Sequence, residues 1–323
     1  MTDQIRQNQL GRSGLTVSSV GLGCNNFGRR LDREGTRRVI DAALDAGITL
    51  FDTADIYGGG ESERLIGELL GDRRDRVVLA TKFGMDMGAA NGTPAGPRGS
   101  RAYVRQAVDA SLRRLRTDTI DLYQYHEPDG VTPIDETLGA LDELVGEGKA
   151  RFIGVSNFSA GQLEEAARIA REHGLLRFVS VQNEYSLLNR SIEAEVAPVC
   201  QRLRIGILPY FPLASGLLTG KYARGRPAPQ GTRLAGRARV ADDGAFDRIE
   251  ALGRFAAERG LGLLDVAIGG LAGQPMVGSV IAGATRPAQI AANVRAAAWH
   301  PSPEDLARID EIVPAPTAAD HSP

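Results

Sequence analysis

Four side chains with acid–base chemistry stand where short apolar runs end. Asp52 closes the run Thr49–Asp52, Lys82 follows Val77–Thr81, and His126 follows Ile120–Tyr125. Tyr57 lies five residues past Asp52, in the loop Asp52-Thr53-Ala54-Asp55-Ile56-Tyr57-Gly58-Gly59-Gly60-Glu61. A phenol, with a pKa near ~10, is a poor acid at neutral pH. An ammonium beside it stabilises the phenolate and lowers that pKa. A carboxylate next to the ammonium keeps it charged and in place. An imidazole can hydrogen-bond whatever oxygen the phenol protonates. Each residue alone also has an ordinary structural role. An Asp–Lys pair on neighbouring strands is a common salt bridge, and a single His is often a satisfied core residue. The four together specify proton transfer to a carbonyl-like oxygen far better than any one of them.

These positions share one end of a fold only if the runs are parallel strands. Eight runs recur: Ser19–Leu22, Thr49–Asp52, Val77–Thr81, Ile120–Tyr125, Arg151–Val155, Val179–Gln182, Ile205–Pro209 and Val277–Ile281. Their starts are 30, 28, 43, 31, 28, 26 and 72 residues apart, and five of these gaps suit one strand–helix unit. Helical periodicity fills the gaps. Val39, Ile40, Ala43 and Leu44 share one face of Gly35–Ala46. Ser100 suits the N-cap of a helix over Arg101–Arg116, Pro133 the start of one ending near Gly146–Gly148, and Ser159 the cap of one running to about Arg171. Alternating strands and helices imply parallel βαβ units. Eight of them predict an α/β fold of the (β/α)8, or TIM-barrel, type, whose chemistry gathers at the C-terminal mouth. The residues before Ser19 fit a short hairpin across Gly11–Gly14 that plugs one end of the barrel. The two long gaps hold extended loops at the mouth, Gly84–Gly99 and Ala214–Gly244, one to frame a substrate and one to close over a cofactor. No composition shift divides the chain, which reads as a single domain over residues 1–323 with a flexible tail from about 314.

Composition narrows the function classes. The chain is 42% apolar and 24% charged, against average usage of about 45–50% and about 25%, which excludes a disordered or fibrous protein. Its 38 basic and 40 acidic residues leave a net charge of −2, so no basic field marks it as a nucleic-acid binder. Only three of the cations are lysines, Lys82, Lys149 and Lys221. Cys24 and Cys200 form no CxxC, and Cys24 reads as a small packing residue. A metal-dependent barrel would cluster His and Asp at the strand ends. Of the four histidines, His173, His300 and His321 fall on helices or tails. The N-terminal stretch Met1–Leu10 has no apolar core, and Leu261–Ala284 is broken by Asp265, Gln274 and Pro275. The expectation is a cytoplasmic protein without a membrane span. A doubly wound dinucleotide fold would carry G-x-G-x-x-G after the first strand. The chain has Gly21-Leu22-Gly23-Cys24-Asn25-Asn26-Phe27-Gly28 there, with the wrong spacing, and Gly220-Lys221-Tyr222 does not complete a P-loop.

Longer stretches carry a family resemblance. Phe51-Asp52-Thr53-Ala54-Asp55-Ile56-Tyr57-Gly58 with Glu61-Ser62-Glu63 resembles the signature of the aldo-keto reductases. So do Ala80-Thr81-Lys82-Phe83-Gly84, Ser111–Leu115 through Ile120–His126, Gly154-Val155-Ser156-Asn157-Phe158 and Gln182–Ser186. Tyr210 with Pro212–Lys221, then Gly283-Ala284-Thr285-Arg286, Gln289 and Asn293 complete a match from about Gly11 to Val313. The resemblance implies a (β/α)8 barrel that reduces aldehydes or ketones with NADPH, yielding an alcohol and NADP+. It places the catalytic tetrad on Asp52, Tyr57, Lys82 and His126. Tyr57 is then the general acid, Lys82 tunes it, Asp52 supports Lys82, and His126 orients the carbonyl. It places the cofactor along Gly23, Asp52, Ser156, Asn157, Gln182, Tyr210, Leu213, Gly216, Lys221, Gly283, Thr285, Arg286, Gln289 and Asn293. Ser156, Asn157 and Gln182 would hold the carboxamide, Tyr210 would stack on the nicotinamide, and Leu213–Lys221 would cover the pyrophosphate. Thr285 and Arg286 would meet the 2′-phosphate, and Gln289 and Asn293 the adenine. No metal is required.

Three departures from the family pattern bear on the site. Ile281-Ala282-Gly283 lacks the usual proline, which frees φ ahead of the phosphate loop. Ile268-Gly269-Gly270-Leu271 predicts a loose or kinked helix, since each glycine costs about 1 kcal/mol against alanine. Asn25 and Asn26 stand beside the mouth and, with Phe27 and Tyr125, are the candidate substrate-pocket residues. The partner is then a small carbonyl compound whose identity lies in the loops, and both monomer and homo-oligomer stay open. A second reading is a cofactor-binding regulatory subunit with the same fold and little turnover.

Overall fold

The computed structural model describes residues 5–88, 90–237 and 240–316; residues 317–323 of the expected tail lie outside them. Among these residues a hairpin, β1 (Gln7–Gln9) and β2 (Thr16–Ser18), precedes an eight-stranded parallel sheet. The sheet runs β3 (Val20–Gly23), β4 (Leu50–Asp52), β5 (Val78–Phe83), β6 (Ile120–Tyr125), β7 (Ala150–Ser156), β8 (Ser180–Gln182) and β9 (Gly206–Ile207), with β10 (Val280–Gly283) beside β3. Ile207 N donates to Met276 O at 2.7 Å, Gly278 N to Ile207 O at 3.0 Å, and Ile281 N to Pro209 O at 3.0 Å. These bonds join β9 to the segment entering β10 and close the (β/α)8 barrel.

Strand boundaries move by a few residues from the sequence pattern, and each shift has a pairing reason. The last strand begins at Val280 rather than Val277 because Val280, Ile281, Ala282 and Gly283 pair with Val20, Gly21, Leu22 and Gly23. Ala282 therefore sits in regular strand, without the freedom expected from the missing proline. Lys82, expected just past its strand, lies inside β5, paired with Gln124 of β6.

The helices follow their caps. Asp32, a cap the periodicity did not single out, accepts from Gly35 N and starts α1 (Arg33–Asp45). After α2 (Glu61–Leu70), Ser100 caps α3 (Arg101–Leu115), and α4 (Ile134–Gly146) follows Pro133. Ser159 and Gln162 form a capping box on α5 (Ala160–His173). Then come α6 (Val196–Leu203), α7 (Asp243–Glu258), α8 (Leu263–Ala272), α9 (Pro287–Ala296) and α10 (Pro303–Ile312).

One end of the barrel is closed by apolar packing. Leu10, in the hairpin turn, is fully buried among Val17, Leu50, Ala80, Leu122, Leu208 and Ile281. The hairpin is the expected plug.

Helix α8 corrects the expectation of a loose segment: Leu263–Ala272 is continuous and its second half is buried. A Cβ on Gly269 would come within 2.8 Å of both the Trp299 ring and the Trp299 carbonyl. The glycine lets the chain after α9 approach the helix axis. A Cβ on Gly270 would meet only Ile309 and Leu187 side chains at 3.6–3.8 Å. Gly270→Ala is therefore expected to be neutral or to stabilise by up to about 1 kcal/mol. Gly269→Ala is expected to lower the melting temperature despite the same gain in helix propensity. Paired thermal denaturation curves check the contrast.

Candidate active site

Asp52, Lys82, Gln124 and Gln182 form a polar layer just inside the mouth. Asp52 ends β4, Lys82 projects from β5, Gln124 from β6 and Gln182 from the end of β8. Lys82 is fully buried, and its Nζ donates to Asp52 Oδ1 at 2.9 Å, Asp52 Oδ2 at 2.8 Å and Thr53 O at 2.8 Å. Gln182 Nε2 donates to Asp52 Oδ1 at 2.8 Å, and Gln124 Nε2 to the same oxygen at 3.3 Å. Burial opposes the ammonium, but attraction to Asp52 and Tyr57 outweighs it and holds Lys82 above its ordinary pKa. Gln124 is a support that the sequence reading missed. Its position two residues before His126 on an inward-alternating strand was the available signal.

Tyr57 opens a tight turn whose next three residues, Gly58, Gly59 and Gly60, have φ of 62°, 65° and 94°. Glycine accepts such angles without steric cost. The turn folds the phenol back so that Lys82 Nζ lies 5.2 Å from the ring centre. The ring edge meets His126 at 6.1 Å between centroids, at 84° between planes. The structure corrects one expectation here. Burial pushes the Tyr57 pKa up by more than Lys82 pulls it down, and the Asp52 carboxylate adds to the rise. The phenol is thus firmly protonated. His126 is pulled down to about 3 by burial and by Lys82, so it is a neutral imidazole, and its Nδ1 is buried without a partner.

These groups face a cavity of about 750 Å³. All fourteen residues that the family resemblance placed along a cofactor line it, from Gly23 through Asn293, together with Asn25 and Asn26. Phe27 and Tyr125 do not. Phe27 is fully buried in the core behind the mouth. Tyr125 stacks on Phe83 at 5.1 Å, and its hydroxyl accepts from Asp129 N at 2.8 Å. Tyr125 is covered instead by Phe83, Phe158 and the chain around Asp129, and Phe27 belongs to the hydrophobic core. Lining residues that the sequence did not single out include Arg30, Phe211, Arg233 and Leu264. They lie in irregular loops or on a helix face, where no periodic signal marks a cavity wall. The two mouth loops also divide differently from expectation. Residues 213–233 contribute to the wall, whereas no described residue of 84–99 lines it.

The donor set fits a nicotinamide dinucleotide. The volume is within the ~300–1,000 Å³ of small-molecule sites. Among the described residues, none of the four wall cations Arg30, Lys221, Arg233 and Arg286 is paired with a carboxylate, which leaves them available to phosphates. Arg286 precedes α9, with Pro287 at its first position, so the helix N-terminus points the same way. Thr285 N and Oγ1 both donate to Gln289 Oε1, at 2.8 and 3.1 Å. At the opposite end, Asn157 accepts from the Tyr210 hydroxyl at 2.9 Å and donates to His126 O at 3.1 Å, which fixes Tyr210 over the mouth. Among the described residues, no group of three or more His, Cys, Asp or Glu is placed to hold a metal ion, and no helix is long and apolar enough to cross a membrane.

Residues 19–314 match the model of the aldo/keto reductase family. An uncharacterized oxidoreductase of Bacillus subtilis, YrpG, is 37% identical over 95% of both chains. A protein of Oryza sativa named as a probable voltage-gated potassium channel subunit beta is 35% identical over 94% of this chain and 95% of its own. A probable aldo-keto reductase 1 of Glycine max is 41% identical over 68% of this chain and 62% of its own. The chain belongs to the aldo/keto reductase family.

Removing the ammonium exposes the cost of its partner. In Lys82→Met, Asp52 keeps only its glutamine donors in a buried layer, and breaking such a pair costs about 3–5 kcal/mol. The expected result is a lower melting temperature together with loss of activity; an equally stable, active Lys82→Met protein would refute the role given to the pair.

Proposed function

We propose that this chain is an NADPH-dependent carbonyl reductase, converting an aldehyde or ketone, NADPH and a proton into an alcohol and NADP+. One observation carries the reading: the Tyr57 phenol sits beside a buried, charge-balanced lysine and a neutral imidazole, at the floor of a cavity whose wall cations have no carboxylate partner among the described residues. When bound, the nicotinamide supplies the hydride. The protein supplies the proton and the orientation. Tyr57 donates its proton to the carbonyl oxygen, and Lys82 stabilises the phenolate left behind, a charge that exists only once transfer begins. A phenol is already protonated at neutral pH; burial raises the cost of giving up the proton, and Lys82 offsets part of that cost. Neutral His126 can donate to the same oxygen without competing as an acid. Asp52 keeps Lys82 charged and aimed.

Similarity to proteins named as potassium channel beta subunits supports a second reading, a cofactor-binding subunit with little turnover. Turnover separates the two. Purified protein with NADPH and a panel of aldehydes, ketones and sugar-derived carbonyls is expected to oxidise the cofactor. Tyr57→Phe is expected to lower kcat by at least ~10²-fold, the usual contribution of general acid catalysis, with NADPH affinity within a few-fold of wild type. A Tyr57→Phe protein that reduces a good aldehyde at the wild-type rate would sink the mechanism.

Cofactor choice is assigned to Arg286. A hydrogen bond to a charged group contributes about 1.5–3 kcal/mol, or roughly 10- to 150-fold in affinity. Arg286→Ala should weaken NADPH by one to two decades in calorimetric titration and leave NADH nearly unchanged. Equal weakening of both would mean that Arg286 holds the loop rather than the 2′-phosphate.

A further inference from the structure

No described residue of the loop 84–99 lines the cavity, yet its Asn91 is buried and bonded to the segment that carries Tyr57. The Tyr57 turn is built almost entirely of glycine, so few side chains of its own position it. Three consecutive glycines at positive φ follow the phenol, and the turn's backbone bonds are local: Tyr57 N donates to Ala54 O at 3.1 Å, and Tyr57 O accepts from Glu61 N. Something outside the cavity must hold its two ends.

On the near side, Asp55 is anchored twice. Its N donates to Lys82 O at 3.0 Å, and its Oδ2 accepts from Asn91 Nδ2 at 3.1 Å. On the far side, Gly60 rests on the side chain of Arg114 from α3, so closely that a Cβ there would come within 2.8 Å of Arg114 Cδ. Arg114 in turn donates to Asn91 Oδ1 at 2.9 Å, to Glu63 Oε2 at 2.7 Å and to Ser111 Oγ at 3.3 Å. Gln106 Nε2 holds the Asn91 carbonyl at 2.9 Å, and Thr81, next to Lys82, donates to the other Glu63 oxygen at 2.5 Å. Asn91 is therefore the middle link. It gives a hydrogen bond to the segment before Tyr57 and takes one from the residue beneath the segment after it.

We propose that Asn91 and Arg114 are positioning residues for Tyr57, a polar bracket from the 84–99 loop and α3 that fixes where the phenol sits above Lys82. This rests on the reading of Tyr57 as the general acid. The groups facing Asp55 are Glu63 from α2, Arg114 and Tyr103 from α3, and Tyr123 from β6, whose hydroxyl is buried without a partner. In that company burial, reinforced by Glu63, raises Asp55 to about 7. A second carboxylate placed against it is strongly disfavoured.

That electrostatic setting allows a test by exchange of donor and acceptor. Wild type and variants are assayed with NADPH and a small aromatic aldehyde. Asn91→Ala, which removes both its bond to Asp55 and its bond from Arg114, is expected to lower kcat at least about tenfold, with the KM for NADPH within a few-fold of wild type. Asn91→Asp should be worse, because two carboxylates then meet. Adding Asp55→Asn to Asn91→Asp reverses the polarity of the bond and still offers Arg114 an oxygen. The double variant should recover most of kcat, a non-additivity that a merely structural anchor would not show in kcat alone. In the cofactor-free protein, Asn91→Ala should speed amide hydrogen exchange at Tyr57 and Gly59 while α3 and β6 stay protected. Wild-type kcat in Asn91→Ala, or additive losses in the double variant, would overturn the bracket. If Tyr57→Phe is inactive in that same assay, the acid assignment survives that failure. If Tyr57→Phe is active, the acid assignment falls, and the exchange data still decide whether the bracket holds the turn.

Discussion

A lysine with no exposed surface lies at the centre of this protein, and the architecture of the mouth follows from keeping it charged. Taking an ammonium and a carboxylate out of water costs several kcal/mol per ion, and attraction offsets this only when the remaining hydrogen-bonding capacity is filled. Here all three Lys82 protons have acceptors, in Asp52 and the Thr53 carbonyl. The carboxylate is filled by Gln182 and Gln124. Four different strands must therefore end in register for one ion pair to exist. A shift of one residue in β4, β5, β6 or β8 would turn its contributing side chain out of the barrel.

The barrel is polarised along its axis by the same logic. At the floor, the hairpin presses Leu10 into an apolar cluster with Leu50, Ala80, Leu122, Leu208 and Ile281. At the mouth, the next inward layer is almost entirely polar. The dry floor lowers the effective dielectric beneath the ion pair and strengthens its field at Tyr57. The same burial raises the phenol's pKa, so burial and the ammonium oppose each other in the resting protein.

Much of this was legible in the sequence because parallel barrels repeat. Spacings of 26 to 31 residues between apolar runs announced the strand–helix units, and polar residues at the ends of those runs announced the mouth. Caps such as Ser100 and Ser159 were readable because capping is local chemistry, settled within three residues. Phe27 and Tyr125 misled because an aromatic residue near a strand end looks the same whether it faces a cavity or a helix. The Gly269-Gly270 pair misled for a related reason. Helix propensity counts the local cost, and the Trp299 carbonyl that makes Gly269 necessary lies thirty residues away.

The fold class was legible in the sequence, and so was the choice of Asp52, Tyr57, Lys82 and His126 as the candidate group that the fold brings to one end of the barrel. Both are written in short-range pattern: period, spacing and residue type at strand ends. The tertiary structure decided the electrostatics. That Tyr57 is held up rather than down in pKa, that His126 is neutral, and that Gln124 supports Asp52 all depend on burial and on partners from other strands. So does the role of Asn91, which has no signature of its own and matters only because folding brings it under Asp55 and beside Arg114. Desolvation and partner geometry are properties of the assembled interior, and a one-dimensional pattern carries no record of how deeply a given side chain will be buried.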